Sequence, residues 1–160
     1  MGTRSRIAVM HGDNCKSVYC HWDGYLEYNG SILQKHYDSA RANNLVALGD
    51  LSSLKPEIGE AHPFGYHGTE LSAEKYEEQF GNMCTFYGRD RGEKGVEFQT
   101  DSSFEAFLER VEGCCAEWYY IMKDGVWYVG NVYERDERFY KKLVPLAEAL
   151  AMLPEDAAVA

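Results

Sequence analysis

The 160-residue chain has no run of about 18 apolar residues, so its pattern contains no membrane-spanning helix. Cations are scarce. Sixteen Lys and Arg stand against 26 Asp and Glu, a formal net charge of −10, and general affinity for DNA or an anionic lipid surface is not expected. The five cysteines (Cys15, Cys20, Cys84, Cys114, Cys115) are odd in number and contain no C-x-x-C, and the adjacent Cys114 and Cys115 are poorly placed to share one zinc. The start Met1-Gly2-Thr3-Arg4-Ser5-Arg6 lacks a secretory apolar core. The expectation is a cytoplasmic protein with reduced, mostly buried thiols. P-loop, G-x-G-x-x-G, H-E-x-x-H and G-x-S-x-G patterns are all missing, so no cofactor is expected and catalysis has no motif to rest on.

What is present reads as one globular domain over residues 1–154 with a frayed tail at 155–160. The composition is 45% hydrophobic and 26% charged, which is ordinary for a folded domain, whereas 14% aromatic residues, including 12 Tyr, favour a ring-rich sheet or contact surface. Ile7 and Val9, the turn residues Gly12-Asp13-Asn14, and then Val18, Cys20 and Trp22 at period two predict an N-terminal hairpin. Asn29 or Ser31 can cap a helix carrying Ile32, Leu33, His36 and Tyr37. Asp38 can cap a second, which Gly49 closes.

Periodicity fades from Asp50 to Thr69, which reads as a long Pro- and Gly-containing loop. Ser72 can cap a short helix with Tyr76 and Phe80 inward. Met83–Tyr87 and Val96–Thr100 are strand-like, joined by a polar connection from Gly88 to Gly95. Phe104, Phe107, Leu108 and Val111 predict the clearest helix, with Ser102 and Glu105 at capping-box spacing. Lys123-Asp124-Gly125 between two aromatic, β-branched runs predicts a C-terminal hairpin. Phe139, Leu143, Leu146, Leu150 and Leu153 have helical spacing, with Pro145 either kinking that helix or opening a separate piece. The sum is an α+β fold: a mainly antiparallel sheet of about six strands with four or five helices.

Charge divides the chain. Residues 1–56 hold five acids and six bases, and the other 104 hold 21 acids and 10 bases. Glu105, Glu109 and Glu112 share the helix face opposite the Phe104–Val111 stripe. They form either a solvated face or a docking surface for a basic partner, with Tyr120 and Trp127 as candidate ring anchors. Gly88-Arg89-Asp90-Arg91-Gly92 offers a second reading, a nucleotide module in which Arg89 and Arg91 fork onto phosphate and Tyr87 stacks. A third is a metal-assisted hydrolase built on the two H-x-D pairs His11/Asp13 and His21/Asp23. A Cys20 nucleophile would need a histidine from His36, His62 or His67, because His21 alternates away from it along a strand.

The strings Tyr19-Cys20-His21-Trp22-Asp23-Gly24-Tyr25-Leu26-Glu27-Tyr28-Asn29-Gly30, Ala47-Leu48-Gly49-Asp50-Leu51-Ser52-Ser53-Leu54 and Cys84-Thr85-Phe86-Tyr87-Gly88-Arg89-Asp90-Arg91-Gly92-Glu93 resemble a group of small proteins carried by tailed bacteriophages and prophages. The likeness covers most of residues 3–95 and brings no residue roles. It implies a setting, the bacterial cytoplasm. It also implies a class of function: an accessory protein that binds and blocks a host protein or complex of defence or nucleic-acid handling, in the manner of anti-CRISPR or anti-restriction proteins. The charge balance and hydropathy separately lead to the expectation of no direct DNA binding and no membrane association.

Overall fold

Two hairpins laid side by side form the centre of the sheet. In the computed structural model, which describes residues 2–154, strand β1 is Ser5–His11 and β2 is Asn14–Cys20. After a single π-type turn at Leu26–Gly30 come helices α1 (Ser31–His36) and α2 (Ser39–Ala47), then β3 (Leu51–Ser53), α3 (Ala73–Phe80), β4 (Thr85–Phe86) and α4 (Tyr87–Arg91). The chain continues through β5 (Gln99–Asp101), α5 (Phe104–Gly113), β6 (Trp118–Lys123), β7 (Val126–Asn131), β8 (Val144–Pro145) and α6 (Leu146–Ala151). The fold is α+β, with eight strands in one sheet ordered β4-β3-β2-β1-β6-β7-β8, and β5 pairing with β2 off that path.

Five pairings are antiparallel and two are parallel. The parallel join of β1 to β6 runs from Ser5↔Trp118 to Met10↔Lys123 and fuses the two hairpins. The expected strand count of about six becomes eight because β3 and β8, of only three and two residues, are added. Such segments are too short for periodicity to register.

Alternation along the central strands sorts their side chains onto two faces. Ile7, Val9, Val18, Cys20, Tyr120, Met122 and Val129 pack beneath α1, α2, α6 and the π-type turn. Ala8, Met10, Cys15, Tyr119 and Ile121 pack beneath Phe107, Leu108 and Val111 of α5. The result is helices on both sides of a mixed sheet. Gly130 is required by this packing, because a Cβ there would fall 2.2 Å from both the Lys142 carbonyl oxygen and the Tyr119 hydroxyl.

Several boundaries match the sequence reading. Asp38 caps α2 by accepting from the Arg41 N–H, Ser72 caps α3 through Lys75, and Asp124-Gly125 turns the β6–β7 hairpin with φ of 51° and 79°. Others shift. Ser103, rather than Ser102, caps α5 by accepting from the Ala106 N–H. The strand expected over Met83–Tyr87 shrinks to two residues, since the connection after it opens with helix α4, closed by Gly92 at φ 70°. The last helix begins only at Leu146. Pro145 belongs to β8 and separates Phe139 and Leu143 from it. The tail 155–160 lies outside the described residues.

Candidate functional site

The acidic face of α5 exists as a surface. Phe107, Leu108 and Val111 are buried against the sheet, which turns Glu105, Glu109 and Glu112 to solvent. Asp101 and Arg110 close a two-point ion pair at 2.8 and 3.0 Å, and Glu112 meets Lys141 Nζ at 3.1 Å. Among the described residues, no cation lies within 4 Å of the Glu105 or Glu109 carboxylate. Beyond the helix, Glu117 adds a carboxylate beside Tyr133, a ring 38% exposed. Burial first, and Glu117 second, push the Tyr133 phenol up to about 12, so it stays a hydrogen-bond donor at neutral pH.

The proposed ring anchors are elsewhere. Tyr120 is 0% exposed with its hydroxyl donating to the Gly24 carbonyl at 2.6 Å, and Trp127 is 4% exposed with its indole N–H donating to the Tyr37 carbonyl at 2.8 Å. Both belong to the sheet face opposite α5. They are core residues, as cross-strand rings in a two-sided sheet usually are.

The Gly88–Gly92 segment is not an open phosphate cradle either. Arg89 spends its guanidinium on Asp90 at 3.0 and 3.2 Å and on the carbonyls of Ile58, Gly59 and Cys84. Arg91 pairs with Glu93 and lies 4.5 Å over the Phe64 ring and 4.9 Å over that of Tyr87. Tyr87 thus stacks on an arginine rather than offering a free face. The organising residue is Asp90, to which the sequence reading gave no role. Its side chain is fully buried and also accepts from the backbone N–H of His62 at 3.1 Å and of Phe86 at 2.8 Å. His62 is buried beside it, both ring nitrogens facing carbonyl oxygens, Pro63 at 2.9 Å and Cys84 at 3.0 Å, and its ring stacks on Phe80 at 5.2 Å. This is a polar knot that ties the 57–67 segment to β4 and α4.

The two H-x-D pairs are held apart. His11 and Asp13 sit at the β1–β2 turn, and His21 and Asp23 follow the far end of β2, a seven-residue strand of about 20 Å or more. No cluster of three or more His, Cys, Asp or Glu side chains suited to a metal occurs among the described residues. His21 accepts or donates at Nδ1 to the Tyr19 hydroxyl (2.8 Å) and packs edge-on to Trp22. Burial, then Arg4, holds its pKa below the ordinary imidazole value.

Cys20 is buried, its thiol pushed up to about 12 by desolvation, with Asn29 donating to its sulfur. His62 is committed to the polar knot, and His36 and His67 are exposed. Cys20 contacts Asn29 and the Trp22 carbonyl rather than any of these histidines.

No family model, curated protein or solved structure matches this chain. Two groups of residues escaped the sequence reading. The Asp90 knot joins positions up to 28 apart through one carboxylate, which leaves no local pattern. Lys35 and Lys55 do carry a signal, the +1 balance of residues 1–56 in a strongly acidic chain, but they look unremarkable until the fold places them around one cavity.

Proposed function

We propose that this chain is a binding protein without chemistry of its own, docking through the α5 face onto a basic surface of a partner protein. The observation that carries the reading is the pair Glu105 and Glu109, exposed and, among the described residues, without a cation within 4 Å, in a chain of net charge −10. Interspersed lysines would have relieved their mutual repulsion, and a field of one sign accelerates encounter with a surface of the other.

The phage resemblance supports a setting for this reading. The partner would be a host factor of defence or nucleic-acid handling, whose phosphate-binding groove is cationic by necessity. The nucleotide reading is not carried forward, because Arg89 and Arg91 are both occupied within the fold. A photo-crosslinking residue at position 109 tests the docking face against one at position 75, on exposed helix α3. The reading expects a discrete adduct from position 109 that high salt suppresses. Equal labelling from both positions, or adducts indifferent to salt, would contradict it.

A further inference from the structure

The fold gathers cations of the first 56 residues around a single small cavity. About 220 Å³ of space lies between α1, the chain after β3 and the end of α3, lined by Tyr28, Ser31, Lys35, His36, Lys55 and Asn82 among others. None of its lining residues is acidic. Lys55 is half-buried and its ammonium donates to the Tyr28 hydroxyl at 3.0 Å, with no carboxylate within 4 Å among the described residues. Nearby, Arg41 donates to the carbonyls of His36 and Pro56 and lies over the Tyr37 ring, again without a carboxylate ion pair among the described residues. Ser31 is only 8% exposed, lines the cavity, and its hydroxyl has no hydrogen-bond partner among the described residues.

We infer that this cavity is a binding site for a small tetrahedral oxyanion, a phosphate group. Lys35, Lys55, Tyr28 and Ser31 line one space with no acidic residue on its walls, and a half-buried ammonium that no carboxylate contacts within 4 Å among the described residues is stabilised by an anion placed there. Burial alone would lower the Lys55 pKa. The Tyr28 hydroxyl and then the more distant Glu77 and Asp23 outweigh that and hold it above the ordinary value, so the ammonium is present at neutral pH. Those two carboxylates line the adjoining cleft on the other side of Lys55, not this cavity. The carbonyls at the end of α3 do not oppose the anion strongly either, since those of Phe80 and Asn82 already accept from Met83 and Glu57.

The volume falls below the about 300–1,000 Å³ of sites for drug-sized ligands, so the group fits as inorganic phosphate or as the phosphate end of a monoester. A wider cleft of about 450 Å³ shares Lys35 and His36 with this cavity as lining residues. This site is independent of the docking face on α5.

The test is titration of the full chain with inorganic phosphate at constant ionic strength, balanced with chloride and read by amide NMR. Saturable shifts confined to residues 28–36, 55–56 and 81–82 are expected. The variant Lys35→Gln/Lys55→Met should weaken them about tenfold or more, a loss of about 1.4 kcal/mol. Lys35→Gln alone, at an exposed position, should weaken binding while leaving the melting temperature unchanged, which separates binding from folding. A parallel titration with glycerol phosphate tells the two sources apart: tighter binding assigns the phosphate end of a monoester, and equal or weaker binding assigns free phosphate. Linear, non-saturating shifts with phosphate, or identical affinity in the double variant, would overturn the assignment.

Discussion

At the β6–β7 end of the sheet, hydrocarbon does the holding. Tyr119 and Ile121 meet Phe107, Leu108 and Val111 on one face, and Tyr120, Val129 and Leu146 meet on the other, all at most 9% exposed. At the β3–β4 end, where the strands are three and two residues long, Leu51, Leu54, Cys84 and Phe86 still reach the core, but one buried carboxylate adds a polar tie, with His62, Phe86 and Arg89 donating to Asp90. Apolar burial is spread over many contacts of about 1.5–3 kcal/mol per large side chain, so no single one decides register. The polar knot concentrates its stabilisation in a group that cannot be left unpaired. The first kind of structure is robust and legible in sequence. The second is neither.

The largest effects should test that difference. Asp90→Ala leaves the mostly buried Arg89 guanidinium and two backbone N–H groups without their acceptor, and a loss of about 3–5 kcal/mol is expected. Phe107→Ala should cost a similar 3–5 kcal/mol or so through the cavity it opens under α5. Hydrogen exchange distinguishes them. In Asp90→Ala, protection should be lost first over residues 57–92 while β6 and β7 stay protected, whereas Phe107→Ala should weaken the whole sheet together. Uniform loss in both variants would erase the contrast between the ends.

Tyr120→Phe removes a buried hydroxyl that donates to the Gly24 carbonyl, and about 1–2 kcal/mol should be lost in urea denaturation. The thiols sharpen the comparison without mutation. Cys15 lies under α5 with its thiol pushed up to about 12 by burial, then by Asp101. Cys84 lies in the polar knot, also raised by burial, and Cys115 is exposed. In native buffer, a thiol reagent should label Cys115 first. In sub-denaturing urea Cys84 should react before Cys15, and the reverse order would mean that the α5 side opens first.

The smallest effect concerns Asp50, whose carboxylate accepts the Tyr19 N–H at 2.9 Å yet is raised above its ordinary pKa by burial. A carboxyl raised in the folded state binds its proton more tightly there, so its contribution falls as pH rises through that window and stays lost at neutral pH. Asp50→Asn keeps the acceptor and removes the desolvated charge. It should raise the neutral-pH melting temperature slightly, and the gain should vanish in acid, below the ordinary carboxylate range.

The same contrast explains what could be read in advance. Period-two and period-3.6 spacing revealed both hairpins, α2 and α5, because those elements bury a stripe. The Asp38, Ser72 and Asp124-Gly125 signals were local enough to place boundaries. The parallel β1–β6 join was not legible, since it depends on a crossover of about a hundred residues. Of the site residues, Glu105, Glu109 and Glu112 followed from helical geometry alone. Tyr120 and Trp127 were misplaced because ring-rich strands look alike from either side, Arg89 because its acceptors lie up to 31 residues away, and Arg91 because it packs over Phe64, 27 residues earlier, as well as pairing with nearby Glu93.

The proposal that α5 meets a basic partner is tested most directly by the association rate of the protein captured through position 109, measured against ionic strength for the native chain and for Glu105→Lys/Glu109→Lys. Both positions are exposed, so the fold should be unaffected. The account predicts a rate that falls steeply with salt in the native chain and is slower and nearly salt-independent in the variant. Equal rates with the same salt dependence would contradict it.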